Sequence, residues 1–379
     1  MHMRSRRTTA VLGAILSATV VVALSACTPT APTPTSGATT GASSSAAPVS
    51  TPTPTAVALA PPKVRVPLTC DQVAPTALIT AALGSNVVTH TNDAGDLTPY
   101  AYVQDGALYC SYDGTVAKSE TEFQLIVMPD ITPKHWADYK TYLKDGSTIA
   151  SPFGANSYVD CESSPADLKC NLDMLIGTTW LSIEDFSDNV PSSMTVAAAL
   201  ARFKPLLQTA VTAVQGATIA EPLWTDPDAT AVNISDGLAF ENVVKAASGV
   251  NYRTEVYNPD PIAVGPQSEA MYPTGYQIFG GGGGKFGISI NVLPGGLWAV
   301  PAVMTAGSSL SGYTTVAGLG DQAFSFSETD KYEPYEIQLF VVKGHNLVSV
   351  EVDTSSKSAG TNVARVAKNV ATGVLGQIN

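Results

Sequence analysis

Residues 335 to 354, YEIQLFVVKGHNLVSVEVDT, hold the clearest fold signal in the chain. Apolar side chains alternate with other residues from Tyr335 to Val341 and again from Val348 to Val352. Alternation with a period of two is typical of a β-strand with one buried face. Gly344 lies between the two runs and fits a tight turn. The stretch therefore predicts two antiparallel strands.

Helical patterns flank this pair of predicted strands. Apolar residues between Val363 and Ile378 recur at i, i+3, i+4 and i+7 over about four turns, which predicts an amphipathic helix. Another helical pattern runs from Leu238 to Ala247, and a strand pattern from Phe286 to Leu293 ends at Pro294. Strands and helices together indicate an α+β fold.

The same order of patterns occurs earlier in the chain, displaced by about 165 residues. Pro129 corresponds to Pro294, and Gly177 corresponds to Gly344. The sequence LSIE at 181–184 corresponds to VSVE at 348–351. We therefore expect two tandem α/β/α sandwich repeats, 63–216 and 217–379, each a twisted antiparallel sheet with flanking helices.

The N-terminal segment has the pattern of an export signal. Three arginines within the first seven residues precede an apolar run from Ala10 to Ala23. Leu24-Ser25-Ala26-Cys27 follows and resembles the bacterial lipobox. This resemblance implies a lipoprotein signal peptide at 1–26, acyl chains on Cys27 and anchorage in the cell membrane. An uncleaved membrane helix and a signal peptide with a chance cysteine are the alternatives.

Composition agrees with an extracytoplasmic location. Residues 27–62 are rich in Thr, Pro and Ser and predict an extended tether without a core. The formal net charge is -12, and loss of the three N-terminal arginines would make it -15. An acidic surface repels nucleic acid, so we expect no polynucleotide partner.

Four cysteines follow Cys27, at positions 70, 110, 161 and 170. An even number in an exported chain predicts two disulfides, for which three pairings are possible. We favour Cys70–Cys110 and Cys161–Cys170, because the second repeat lacks cysteine at the positions corresponding to both members of each pair. A zinc site is the alternative, but the spacing has no CxxC pattern.

No catalytic or cofactor motif stands out. The four histidines lie in separate segments without HxxxH or HExxH spacing, and GxSxG is absent, so we predict no catalytic, cofactor or metal residues. A Ser/His/Asp triad stays open, because triads assemble across the sequence. The acidic pair Asp226-Pro227-Asp228 is interpreted as solvated or as a cap.

Tyrosines crowd corresponding parts of the two predicted repeats. We interpret Tyr100 and Tyr257 as members of a speculative ligand surface, because tyrosine on a loop contacts ligands with both its ring and its hydroxyl. Ordinary packing within a sheet is the alternative interpretation.

Several of these features occur together in one family. The lipobox, the Thr/Pro tether, the Gly318–Phe324 turn GLGDQAF, the Lys343-Gly344 strand pair and the terminal helix resemble cell-envelope lipoproteins of high-GC Gram-positive bacteria, a family without an assigned function. The resemblance implies a PsbP-like α/β/α sandwich. It also implies a ligand-binding, sensor or accessory module of the envelope, with an unknown ligand or protein partner. A hydrolase of wall polymers or lipids is the alternative.

Replacing Cys27 with serine should remove the lipid anchor, because a serine hydroxyl cannot form the thioether that carries the acyl chains. We expect the Cys27→Ser chain to lose labelled palmitate and to shift from the membrane fraction to the soluble fraction. Normal processing and continued membrane partitioning of the variant would contradict the prediction.

Overall fold

The computed structural model describes residues 60–84, 86–90, 96–115, 122–143, 149–150, 153–163, 168–186, 194–219, 224–226, 228, 237–248, 253–257, 277–282, 286–310, 312–327 and 335–378. These residues form a mixed α+β structure with two antiparallel sheets of seven strands each. Cys27, the signal peptide at 1–26 and most of the tether lie outside the described residues, and their assignments stay predictions. No helix in the described ranges is long and apolar enough to cross a membrane.

The first sheet and its helices lie between residues 70 and 216. Their bounds are α1 Cys70–Val73, α2 Thr76–Leu83, β1 Val87–Thr89, α3 Thr98–Gln104, β2 Leu108–Gly114, β3 Glu122–Met128, α4 Pro133–Leu143, β4 Ile149–Ala150, β5 Ser157–Ser163, β6 Leu168–Ile176, β7 Thr179–Phe186 and α5 Val196–Gly216.

The second sheet and its helices lie between residues 237 and 375. Their bounds are α6 Gly237–Ser248, β8 Arg253–Tyr257, β9 Gln277–Gly282, β10 Gly287–Leu293, a 3₁₀ helix Gly296–Ala299, α7 Val300–Ser308, β11 Thr314–Thr315, β12 Gln322–Phe326, β13 Tyr335–Lys343, β14 Asn346–Thr354, α8 Lys357–Gly360 and α9 Val363–Leu375.

The two sheets have the same strand order. The first is β1-β2-β3-β7-β6-β5-β4, and the second, in the corresponding direction, is β8-β9-β10-β14-β13-β12-β11. The last strand of each half therefore lies at the centre of its sheet. β7 lies between β3 and β6, and β14 lies between β10 and β13. The predicted strand pair at 335–354 is confirmed, with Tyr335 opposite Thr354 and Lys343 opposite Asn346.

Glycine is required at the turn that joins the two central strands of each sheet. Gly177 follows β6 with φ 63°, and Gly344 follows β13 with φ 58°. A side chain at a positive φ is strained, whereas glycine adopts it readily. These turns hold the long central strands in register.

One face of each sheet packs against helices. In the first sheet, Phe123, Leu125 and Leu181 share a buried cluster with residues of α1, α2 and α5. In the second sheet, the predicted apolar faces of β13 and β14 pack against α6, α8 and α9. The apolar faces of the strands and the apolar stripes of the helices thus pack against each other, as their periods predict.

The other face of each sheet contributes to a third buried cluster that joins the two halves. Ile126, Met128 and Trp180 of the first half share this cluster with Phe324 and Phe340 of the second. We call this cluster the central layer. Within residues 58–379, which form one compact unit, it covers the second face of each sheet and includes residues of α3, α4 and α7.

A buried glutamine connects the halves at the edge of the central layer. Gln104, at the end of α3, donates from Nε2 to the carbonyl oxygen of Pro294 at 2.7 Å. Its Oε1 accepts from Nε1 of Trp298 at 3.2 Å. The Trp298 ring also meets the edge of Tyr100, with ring centroids 5.8 Å apart. One side chain therefore satisfies two polar groups of the opposite half.

Replacing Gln104 with alanine should destabilise the fold, because the Pro294 carbonyl and the Trp298 indole lose their buried partner. We expect the free energy of unfolding to fall by about 1–3 kcal/mol, measured by urea unfolding. Gln208→Ala, on the exposed side of α5, is the matched control and should change it by less than about 0.5 kcal/mol. Equal effects of the two variants would contradict the role of Gln104.

Candidate functional site

A cleft of about 190 Å³ opens between the start of α1, the helix α3 and the first two strands. Its lining combines apolar, aromatic and polar side chains, as binding sites for small molecules usually do. The lining residues are Cys70, Thr89, His90, Pro99, Val103, Tyr109, Cys110, Ser111 and Tyr112.

A disulfide holds one wall of the cleft. The Sγ atoms of Cys70 and Cys110 are bonded at 2.05 Å, which joins the first residue of α1 to the middle of β2. This is the pairing that we favoured from the sequence. The bond fixes α1 against the sheet beside the lining residues.

Ser111 is the most informative polar residue of the cleft. It is only 5% exposed, and its Oγ has no hydrogen-bond partner among the described residues. A buried polar atom without a partner costs about 1–3 kcal/mol. A ligand with a polar group in the cleft would satisfy this hydroxyl, because a hydroxyl both donates and accepts.

A histidine and an aspartate lie next to Ser111. The backbone N–H of His90 donates to the carbonyl of Ser111 at 2.8 Å, which places His90 opposite Ser111 in the ladder. Asp113 lies two residues beyond Ser111 on β2, so both side chains lie on one face. Nδ1 of His90 is 2.6 Å from Oδ2 of Asp113. The carboxylate therefore orients the imidazole at the rim of the cleft.

The second predicted disulfide stays a prediction. Cys161 and Cys170 are directly opposite each other in the register of β5 and β6, and Cys170 is disulfide-bonded. The side chain of Cys161 lies outside the described residues.

Of the two tyrosines predicted for a ligand surface, only Tyr100 has a side chain among the described residues. Tyr100 lies in α3 and is 7% exposed, packed in the central layer against Trp298. Burial, with a smaller contribution from Asp96, raises the pKa of its hydroxyl. The assignment of Tyr100 to a ligand surface is therefore wrong. Tyr257 lies in β8 opposite Ile278, and its side chain is outside the described residues.

The structure also brings His345 next to the acidic pair Asp226 and Asp228. One donor atom each from Asp226, Asp228 and His345 lies within 4.8 Å of the others. Nδ1 of His345 is 2.8 Å from Oδ2 of Asp226. The sequence analysis predicted no metal residues, and its spacing tests could not detect a pair 119 residues apart.

A buried carboxyl group lies in an aromatic cluster of the first half. Asp173 accepts from the Tyr139 hydroxyl at 2.6 Å and from Nε1 of Trp180 at 2.8 Å. Burial raises the pKa of Asp173, although these bonds and one from Ser182 oppose the shift. The Trp136 and Trp180 rings meet edge to face at 5.3 Å, which closes the cluster. Asp173 therefore joins strands and α4 rather than facing a cleft.

Comparisons with known proteins identify no family for the chain. No protein-family model matches it, and no curated protein does. Among solved structures, it is similar to the di-domain ARO/CYC StfQ from the steffimycin biosynthetic pathway. The alignment covers 81% of this chain and 94% of that chain, at 10% identity and a TM-score of 0.17. This likeness is too weak to carry an argument about fold or function.

The raised pKa of Asp173 predicts a pH-dependent stability. The pKa of Asp173 is higher in the folded state than in the unfolded state. The folded state is therefore destabilised as the pH rises from the unfolded-state pKa to the folded-state pKa. Asp173→Asn removes the charge, while the Tyr139 hydroxyl can turn to accept from the new amide. Urea unfolding would be measured between pH 3.5 and 7.5. We expect the free energy of unfolding of the variant to increase relative to that of the original chain as the pH rises. A difference that does not change with pH would contradict the assignment.

Proposed function

We propose that this chain is a lipid-anchored protein of the extracytoplasmic face of the cell membrane and binds a small ligand in the cleft beside Cys70–Cys110. In this proposal Cys27 carries the anchor and residues 27–62 are the tether. The ligand is a molecule of the cell envelope, and the protein is a binding, sensor or accessory module.

The observation that carries the proposal is Ser111. Ser111 lines the cleft, and its buried Oγ has no hydrogen-bond partner in the described part of the chain. Buried polar groups in folded proteins are almost always paired, and an exception calls for an explanation, of which a bound ligand is one. Tyr109, Pro99 and Val103 add apolar surface around it, so the cleft suits a ligand with both apolar and polar parts.

The disulfide supports the proposed compartment. Disulfides persist in oxidising environments, outside the cytoplasm. Cys70–Cys110 also forms a wall of the cleft, so the same bond that fits an exported protein holds the proposed site together.

We further propose that the two halves are copies of one α/β/α sandwich unit. The identical strand order of the two sheets supports this proposal. So does the chain offset: β3 begins at 122 and β10 at 287, an offset of 165, and α5 begins at 196 and α9 at 363, an offset of 167. The cysteines and the lined cleft belong to the first copy, which suggests that the first copy carries the specific binding.

Binding is favoured over hydrolysis. A serine nucleophile requires a base within about 2.6–3.2 Å of its oxygen. His90 is oriented by Asp113 as a base would be, but Ser111 Oγ makes no hydrogen bond to it. Ser111 also lies within strand β2 rather than at the sharp strand-to-helix turn of a nucleophile elbow.

Filling the cleft tests the proposal. The full-length chain would be extracted from cell envelopes with mild detergent, and small molecules that remain bound would be identified by native mass spectrometry. Ser111→Leu adds apolar volume and removes the hydroxyl, so we expect the bound species to be lost. Ser308→Leu, on the exposed side of α7, is the matched control and should retain it.

Two results would count against ligand binding in the cleft. One is the absence of any bound species from the original chain. The other is equal recovery of the species from the original chain and from Ser111→Leu, with both chains folded by circular dichroism.

A further inference from the structure

We propose that Asp226, Asp228 and His345 bind one divalent transition-metal cation, of which Zn²⁺ is the best match. This site is separate from the cleft and does not depend on the proposed function. The three residues are called the His345 cluster below.

The geometry of the cluster is close to that of a metal site. Nδ1 of His345 is 2.8 and 3.0 Å from the two carboxylate oxygens of Asp226. A donor atom of Asp228 completes a set within 4.8 Å. Donors bound tetrahedrally at about 2.0–2.2 Å from one cation lie about 3.3–3.6 Å apart. His345 and Asp226 would therefore separate by about 0.5 Å, and Asp228 would move inward by at most about 1.5 Å, to assemble the site.

The burial of Asp226 supports a cation independently of this spacing. Its side chain is only 2% exposed. Among the described residues, its other partner besides His345 is the backbone N–H of Asp228, which donates to Oδ1 at 2.9 Å. A buried carboxylate is costly unless its charge is compensated. No lysine or arginine in the described ranges compensates it, and Asp228 adds a second negative charge beside it.

The donor types select the class of cation. Two carboxylates and one imidazole, without a thiolate, suit Zn²⁺ and the neighbouring first-row divalent ions. Ca²⁺ and Mg²⁺ prefer oxygen donors throughout, so the imidazole disfavours them. Asp228 is exposed and His345 is 27% exposed, which leaves one side of the cluster open for water ligands.

The backbone around His345 is held in place. Gly344 donates its N–H to Oδ2 of Asp321 at 2.7 Å, and the carbonyl of His345 accepts from the N–H of Leu297 at 3.0 Å. The turn after β13 therefore presents the imidazole from a fixed position. A bound cation would fasten the segment of Asp226 and Asp228 to this turn of the second sheet.

Titration with metal salts tests the proposal. The full-length chain in detergent, freed of metal with EDTA and exchanged into buffer, would be titrated with ZnCl₂ in a calorimeter and, separately, with CaCl₂. We expect one Zn²⁺ per chain and much weaker binding of Ca²⁺. His345→Gln and Asp226→Asn should each weaken Zn²⁺ binding by at least about tenfold. Loss of an outer-shell partner alone lowers metal affinity by about that factor, and loss of a direct ligand should lower it at least as much.

Asp228→Asn separates loss of a ligand from loss of the fold. Asp228 is exposed, so the substitution should leave unfolding by urea unchanged and still weaken Zn²⁺ binding. His135→Gln, in α4, is the matched histidine control and should bind Zn²⁺ as the original chain does. Absence of Zn²⁺ binding, or binding that none of the three cluster variants weakens, would overturn the proposal.

Discussion

Burial of both faces of each sheet is the constraint on which the rest of the structure depends. A sheet with one face covered by helices still has to cover the other, and here apolar residues of that face pack in the central layer with residues of α3, α4 and α7. Phe324 and Phe340 stack with ring centroids 5.2 Å apart within this layer. Because apolar burial is the dominant favourable term in folding, the two halves are stabilised together and not independently.

This arrangement leaves polar side chains in unusual places. Within the long strands, the same sheet faces carry Asp173 in the first half and Gln338 and Ser349 in the second, all at most 9% exposed. Asp173 is well bonded, whereas Oε1 of Gln338 and Oγ of Ser349 have no partner in the described ranges. Unpaired groups in a low-dielectric interior limit stability. These sheet faces thus carry apolar residues, which stabilise the fold, beside buried polar residues, which limit its stability.

The sequence predicted the elements whose pattern depends only on local burial. The strands at 335–354 and the helix from Val363 alternate or repeat with one buried face, so period alone identifies them. Helix α3 was missed, because Thr98-Pro99-Tyr100 resembles a loop. Proline is nevertheless tolerated in the first turn of a helix, where its missing N–H is not needed. That omission is also why Tyr100 was placed on a surface.

The candidate sites could be predicted only in part. The Cys70–Cys110 disulfide beside the cleft could be predicted from the even number of cysteines after Cys27 and from the comparison of the two halves. His90 and Ser111 meet only because β1 pairs with β2, and β1 has three residues, too few to show a period. His345 reaches Asp226 across 119 residues, through the position of a turn that no local pattern contains. Contacts of this kind depend on topology, which spacing rules do not describe.

The short outer strands have a consequence for the protein in a crowded environment. Strands β4 and β11, at corresponding edges of the two sheets, have two residues each. A long exposed edge offers unpaired N–H and C=O groups to the edge of another molecule and promotes aggregation. Two residues offer too few such groups for stable pairing between molecules. The short strands at these two edges therefore disfavour pairing with the edge of another molecule.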